Sequence, residues 1–217
     1  IPSSGHELTA LFSHYLKPCD WLHLHYRDRA LAYARGVTYE TVFNGLFSRE
    51  NSNSGGRRMP AFPCEKSLNI MSTPTLVGSN ALQAVGVAHA INEQENNPIV
   101  LVSVGDGSTQ QGDFYEAVAE AVRFNLRVVF LIEDNRYALS TPTKGNTFYS
   151  LPQSEMNEFY GIKIERINGT DAIEADEKIS KCLNKIRKDN KPQIIIFNVE
   201  RLESHTNADD QSVYRSK

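Results

Sequence analysis

Residues 98–137 constrain this chain more than any other stretch, because they read in succession as strand, glycine turn, helix, strand and turn. Residues 98–104 make an apolar run of strand length, too continuous for a half-exposed antiparallel strand. Gly105-Asp106-Gly107 breaks it. Phe114, Ala117, Val118, Ala121 and Val122 then recur at helical spacing and define one apolar face. Residues 127–132 are a second buried-type run, closed by Glu133-Asp134-Asn135. The pattern is a βαβ unit, so its strands are expected to be parallel and joined by a right-handed crossover.

Asp106 and Asn135 then fall just beyond the carboxyl ends of adjacent strands, the edge where open parallel sheets bind ligands. A carboxylate and an amide carbonyl are hard oxygen donors of the kind magnesium takes, with water and phosphate oxygens filling its other positions. Gly107 and Ser108 let backbone amides approach an anion, and the following helix points its positive end the same way. Two commoner phosphate motifs do not fit. Gly107 and Gly112 have P-loop spacing, but Asp113 stands where a lysine is required. Gly105 and Gly107 could begin a dinucleotide fingerprint, but Gln110 holds its third glycine position. A βαβ turn whose Asp merely caps the helix accounts for the same residues without any ligand.

Length and composition suit one large α/β domain, residues 1–217, with a mainly parallel, doubly wound sheet. The chain opens on Ile1 without methionine and is read as part of something longer. A net charge of −3 offers no footprint for nucleic acid. No apolar run approaches the roughly 18 residues a membrane-spanning helix needs. Cys19, Cys64 and Cys182 share no metal or redox spacing, which fits a reducing compartment and a packing role.

Elsewhere, helical patterns cover residues 6–16, 29–35 (closed by Gly36) and a segment capped by Thr38 with Val42, Leu46 and Phe47 inward. Residues 51–58 read as a loop. Residues 79–93 form a helix lined with Ala81, Ala84, Gly86, Ala88 and Ala90, suited to close packing within the chain or across a subunit boundary. A polar stretch runs to Tyr160. Residues 162–167 alternate like a strand, Asn168-Gly169 turns, Thr170 or Asp171 caps a helix carrying Ile179, Cys182, Leu183 and Ile186, and residues 193–199 form a buried strand. From Glu203 onward the composition is that of a mobile loop.

The central stretch resembles the thiamine diphosphate motif, Gly-Asp-Gly followed at a fixed interval by Asn-Asn; residues 108–133 fill that interval here, with Asp134 in place of the first Asn. Other stretches line up in order: His25-Tyr26-Arg27-Asp28-Arg29-Ala30, Gly56-Arg57-Arg58-Met59-Pro60, Tyr137-Ala138-Leu139-Ser140-Thr141-Pro142 and Tyr214-Arg215-Ser216. From Gly5 to Ser216 the chain is similar to α subunits of the thiamine-dependent decarboxylating component of 2-oxo acid dehydrogenases. The stretches at 56–60 and 209–212 are closer to the branched-chain (2-oxoisovalerate) type than to the pyruvate type.

The resemblance implies a thiamine diphosphate-binding fold and a set of roles. Tyr26 and Arg27 would hold the diphosphate, with backbone contacts from Gly107 and Ser108. Asp106, Asn135 and the Tyr137 carbonyl would ligate magnesium, and the Val77 backbone would meet the aminopyrimidine. His205 would lie by the thiazolium and serve acyl transfer, and Thr206 falls where animal relatives carry a regulatory phosphoserine. It further implies a β subunit or fused β half supplying the glutamate that activates the pyrimidine, a lipoyl-bearing acyltransferase partner, a 2-oxo acid substrate, a heterotetramer, and a cytoplasmic or mitochondrial-matrix location. Alternatives are a pyruvate or acetoin dehydrogenase α subunit, a non-catalytic regulatory subunit of the same fold (suggested by Asp134 and Ser204), or an unrelated doubly wound nucleotide-binding protein.

Overall fold

The computed structural model describes residues 1–59, 62 and 64–215; Pro60 and Ser216, each ending one of the motifs above, lie outside them. At the centre is a six-stranded sheet of β1 (Trp21–His23), β2 (Val100–Gly105), β3 (Val128–Asp134), β4 (Glu158–Phe159), β5 (Ile162–Asn168) and β6 (Gln193–Asn198). The strand order is β1-β2-β3-β6-β5-β4, and every neighbouring pair is parallel except β4 against β5. Among the described residues five helices of seven or more residues accompany it: α1 (Arg29–Arg35), α2 (Tyr39–Leu46), α3 (Ser79–Ala90), α4 (Gly112–Arg123) and α5 (Ala172–Asp189).

The strand period of two divides β3 between two cores. Val128, Phe130 and Ile132 pack with Ala81, Ala84, Phe114 and Val118 from α3 and α4. Val129 and Leu131 pack on the opposite face with Phe12, Leu31, Ile179, Leu183 and Ile186. Each such side chain contributes about 1.5–3 kcal/mol by leaving water, so covering both faces is what the continuous apolar runs require. The small residues of α3 work within the chain: Ala81, Ala84 and Ala88 are buried, whereas Gly86 and Ala90 face outward.

Helix ends follow local chemistry. Thr38 accepts the Thr41 amide at 3.1 Å to begin α2, and Asp171 accepts the Ile173 and Glu174 amides at 3.0 and 3.1 Å to begin α5. Gly36, at φ 114°, closes α1 in a conformation that a side chain would strain.

Four features differ from the sequence reading. Residues 6–16 split into a 3-10 segment, Glu7–Leu11, and a single α turn, Phe12–Tyr15. The polar stretch before Tyr160 carries two short antiparallel pairings and buries Phe148 and Tyr149. No residue of α2 is fully buried: Val42 packs against the core and Tyr39 against Tyr33 of α1, but Phe43 and, just after the helix, Phe47 lie more than half exposed. Finally, β3 runs on through Asp134, so Glu133 continues the inward row of Val129 and Leu131. Among the described residues no helix is long and apolar enough to cross a membrane, and all three cysteines are free.

Candidate functional site

Register carries the two candidate metal residues to one edge. Gly105 of β2 pairs with Glu133 of β3, so Asp106 and Asn135 leave the sheet from neighbouring strand ends. Asp106 is buried; its Oδ2 accepts the Thr143 hydroxyl at 2.7 Å and its Oδ1 accepts the Gly107 amide at 2.8 Å. Burial pushes this carboxyl up to about 6, with the negative charge of Asp134 adding to the effect. The Asn135 Oδ1 accepts the Tyr137 amide at 3.1 Å, which fixes its side chain over its own turn.

Glycine lets the two turns touch. A Cβ on Gly107 would stand 2.5 Å from the Ala138 Cβ, far inside contact distance, so only glycine permits this approach. A third loop arrives at the same place: a Cβ on Gly78, already at φ 83°, would meet Gln111 at 2.9 Å and the Ser108 carbonyl oxygen at 3.2 Å. Val77, just before it, is exposed.

Tyr26 and Arg27 follow β1 at the same edge. The Tyr26 ring lies against His25 at 3.8 Å between centroids and meets His205 edge-on at 6.2 Å. Arg27 is only 2% exposed; one guanidinium nitrogen donates to the Pro2 carbonyl, and the other donates to His205 Nδ1 at 3.0 Å. An arginine can only donate, so the neutral His205 ring carries its proton on Nε2. Burial, and then the adjacent Arg27 charge, push His205 down to about 4.

The segment after Glu203, read as a mobile loop, is instead tied down. The His205 amide donates to Asp209 Oδ2 at 2.7 Å, and the Tyr214 hydroxyl donates to the same oxygen at 2.6 Å. Buried Arg201 donates to Tyr214 Oη at 2.6 Å and to the Leu139 carbonyl at 2.8 Å. Tyr137 packs its ring against Tyr214 at 5.6 Å. Ser204 accepts the Gln211 amide at 3.3 Å, and Glu203 accepts the Ser4 hydroxyl at 2.8 Å, so these residues anchor the loop themselves.

Beneath the edge lies a polar cluster that the sequence reading missed. Glu133 is fully buried; its Oε2 accepts a very short hydrogen bond from His6 Nδ1, and its Oε1 lies 3.5 Å from His25 Nδ1. Burial alone would raise this carboxyl, but His25 and His6 outweigh it and hold it well below the usual carboxylate range. Asp28 goes the other way, raised well above its usual value by burial and by the Glu133 charge. Asp28 and the Ser103 hydroxyl both accept the His25 amide, at 3.0 and 2.7 Å. The available signal was parity: Glu133 is in phase with Val129 and Leu131, and Ser103 with Leu101.

The structure therefore gathers Asp106, Gly107, Ser108, Asn135 and Tyr137 on one set of touching turns, and Tyr26, Arg27 and His205 in a second, mutually bonded group. A description of the dehydrogenase E1 component matches residues 1–217. The chain belongs to the dehydrogenase E1 component family. It is 30% identical over 200 residues to the α subunit of 2-oxoisovalerate dehydrogenase from Bacillus subtilis, covering 91% of this chain and 60% of that one. It is 29% identical over 219 residues to the α subunit of the pyruvate dehydrogenase E1 component from Acholeplasma laidlawii, covering 100% of this chain and again 60% of the relative. This E1 chain thus spans about 60% of the length of those relatives. Transketolase from Campylobacter jejuni superposes at a TM-score of 0.60 with 22% identity, over 88% of this chain and 32% of that one, which establishes the shared fold. The family and the α/β fold read from the sequence are borne out.

Proposed function

We propose that this chain is the diphosphate- and metal-holding α part of a thiamine diphosphate-dependent 2-oxo acid dehydrogenase. The observation that carries the reading is the buried Asp106 carboxyl at a glycine-walled junction with the Asn135 turn, at neighbouring strand ends. No group of three His, Cys, Asp or Glu side chains able to hold a metal occurs among the described residues. One carboxylate, one amide oxygen and a main-chain carbonyl of Tyr137 remain, a set that suits magnesium when phosphate oxygens and water complete its sphere. The donor set fits the cofactor.

Arg27 and Tyr26 would hold the diphosphate, a guanidinium and a hydroxyl being matched to phosphate oxygens, with the Gly107 and Ser108 amides on its other side. The Val77 backbone, beside the Gly78–Ser108 approach, would meet the aminopyrimidine. Bound there, the cofactor would supply a carbon nucleophile and an electron sink for decarboxylation. A separate β chain, or a fused β half, would supply the glutamate for the pyrimidine, in an αβ heterotetramer. His205 would give a proton to sulfur as the acyl group passes to a lipoyl arm. A diphosphate on Arg27 would offset the charge that now depresses the ring, bringing it closer to its working range.

The branched-chain substrate is favoured by the resemblance at 56–60 and 209–212. Relatives of both substrate types stand at about the same identity, so that preference rests on the motifs. An α chain of pyruvate or acetoin type is the other reading. Thermal-shift titration with thiamine diphosphate plus magnesium, set against nucleotides, tests the assignment: stabilisation by the nucleotides alone overturns it. Turnover with the β partner, comparing 3-methyl-2-oxobutanoate with pyruvate, tests the substrate.

A further inference from the structure

We propose that His25, backed by Glu133, is a further arm of the diphosphate site, with the Ser108 hydroxyl beside it; the assignment rests on the reading of that site given above. Two polar atoms lie side by side next to Gly105 at the end of β2. His25 Nε2 lies 3.6 Å, and Ser108 Oγ 3.9 Å, from the point a Cβ on Gly105 would occupy. His25 is 9% exposed; its buried Nδ1 has no hydrogen-bond partner closer than the 3.5 Å to Glu133 Oε1, and Nε2 and the half-buried Ser108 Oγ reach solvent at the strand end. A ring nitrogen and a hydroxyl that reach solvent side by side at a strand end can both donate to an anionic oxygen placed between them.

The ring is held for the purpose on every side. Tyr26 lies against its face at 3.8 Å, its amide is fixed by Asp28 and Ser103, and Nδ1 faces Glu133 Oε1 at 3.5 Å. The charged and titratable groups facing it are Glu133, His6 and Arg27, with Tyr26 tilted at 42° against it and Asp28 under its backbone. A carboxylate and a phosphate oxygen can both only accept, so the ring bridges them with a proton on each nitrogen. Glu133 is in this sense a positioning residue, orienting a histidine that itself touches the ligand.

Calorimetric titration of the complete enzyme with thiamine diphosphate, and separately with inorganic pyrophosphate, both with magnesium, separates the possibilities. His25→Phe keeps a ring for Tyr26 but cannot donate, and should weaken both ligands about tenfold or more, the effect of losing one hydrogen bond to a charged group. His25→Gln loses the ring but keeps a donor, and should stay within about threefold of wild type on the same scale. Wild type should also take up more protons on binding than His25→Gln, read from heats in buffers of different ionisation enthalpy. Wild-type affinity in His25→Phe overturns the proposal, as does equal or greater loss in His25→Gln, which would mark a packing role. Asp106→Asn is the control on the site itself: if it binds like wild type, the reading of the whole site fails, and His25 falls with it.

Discussion

Adding one methyl group at Gly107 should separate the two turns on which the metal reading depends. The new Cβ would sit 2.5 Å from the Ala138 Cβ and 3.4 Å from its Cα. Carbon atoms in contact normally lie about 3.5–4.0 Å apart, so the turns bearing Asp106 and Asn135 must part by roughly 1 Å. Overpacking on this scale costs about 1–3 kcal/mol. If the closed arrangement is the one that binds metal and diphosphate, that cost appears as a 5- to 150-fold loss of affinity, about tenfold for each 1.4 kcal/mol. Ala138→Gly removes the Cβ partner of the clash and leaves only the 3.4 Å contact, which is ordinary. The assay is calorimetric titration of thiamine diphosphate with magnesium into wild type, Gly107→Ala, Ala138→Gly and the double variant. The double variant should recover most of the loss, giving a coupling of about 1–3 kcal/mol between adjacent sites. Wild-type affinity in Gly107→Ala, or no rescue by Ala138→Gly, would refute the argument.

Glu133→Gln removes the buried carboxylate that accepts from His6, and should lower unfolding free energy by about 1.5–3 kcal/mol in chemical denaturation, the worth of a hydrogen bond to a charged group. Burial pushes His23 down from 6.5 to about 4, so its neutral form is favoured on folding; the unfolded chain binds the extra proton, and stability should fall as pH drops from 6.5 towards 4. The contribution is roughly 3 kcal/mol, and His23→Gln should flatten that part of the pH–stability curve. His205→Ala should suppress transfer to lipoamide about 10²–10⁴-fold, as loss of a positioned acid does, with a much smaller effect on turnover with an artificial electron acceptor; equal losses in the two assays would make the histidine a support for the loop.

Elements with a strong period were legible in the sequence, and so was the strand-end edge where Asp106 and Asn135 emerge. The runs at 98–104 and 193–199 could only be strands buried on both faces, and the βαβ pattern between Pro98 and Asn135 placed Asp106 and Asn135 on adjacent ends. Where a residue's role depends on a distant partner, the sequence was silent. His6 meets Glu133 across 127 positions, and Arg27 meets His205 across 178. Charged residues at a strand end read locally as a turn, which hid Glu133 until β3 was seen to continue through Asp134. Of the α2 residues read as inward, Val42 packs against the core while Leu46 and Phe47 stay exposed, because amphipathic spacing orients a helix about its axis but does not fix how much of its apolar side finds a partner. The loop after Glu203 looked mobile because its composition is polar, yet polar side chains are what fold it, through Asp209, Tyr214 and Arg201.

The metal dependence of cofactor binding tests the central claim most directly. Equilibrium binding of thiamine diphosphate to the complete enzyme should be measured with magnesium and with chelator, for wild type and for Asp106→Ala. The account predicts tight binding by wild type only when magnesium is present, and none by Asp106→Ala under either condition, because the ionised oxygen donor of the hard cation is gone. Binding by wild type that ignores the chelator, or wild-type affinity in Asp106→Ala, would contradict it.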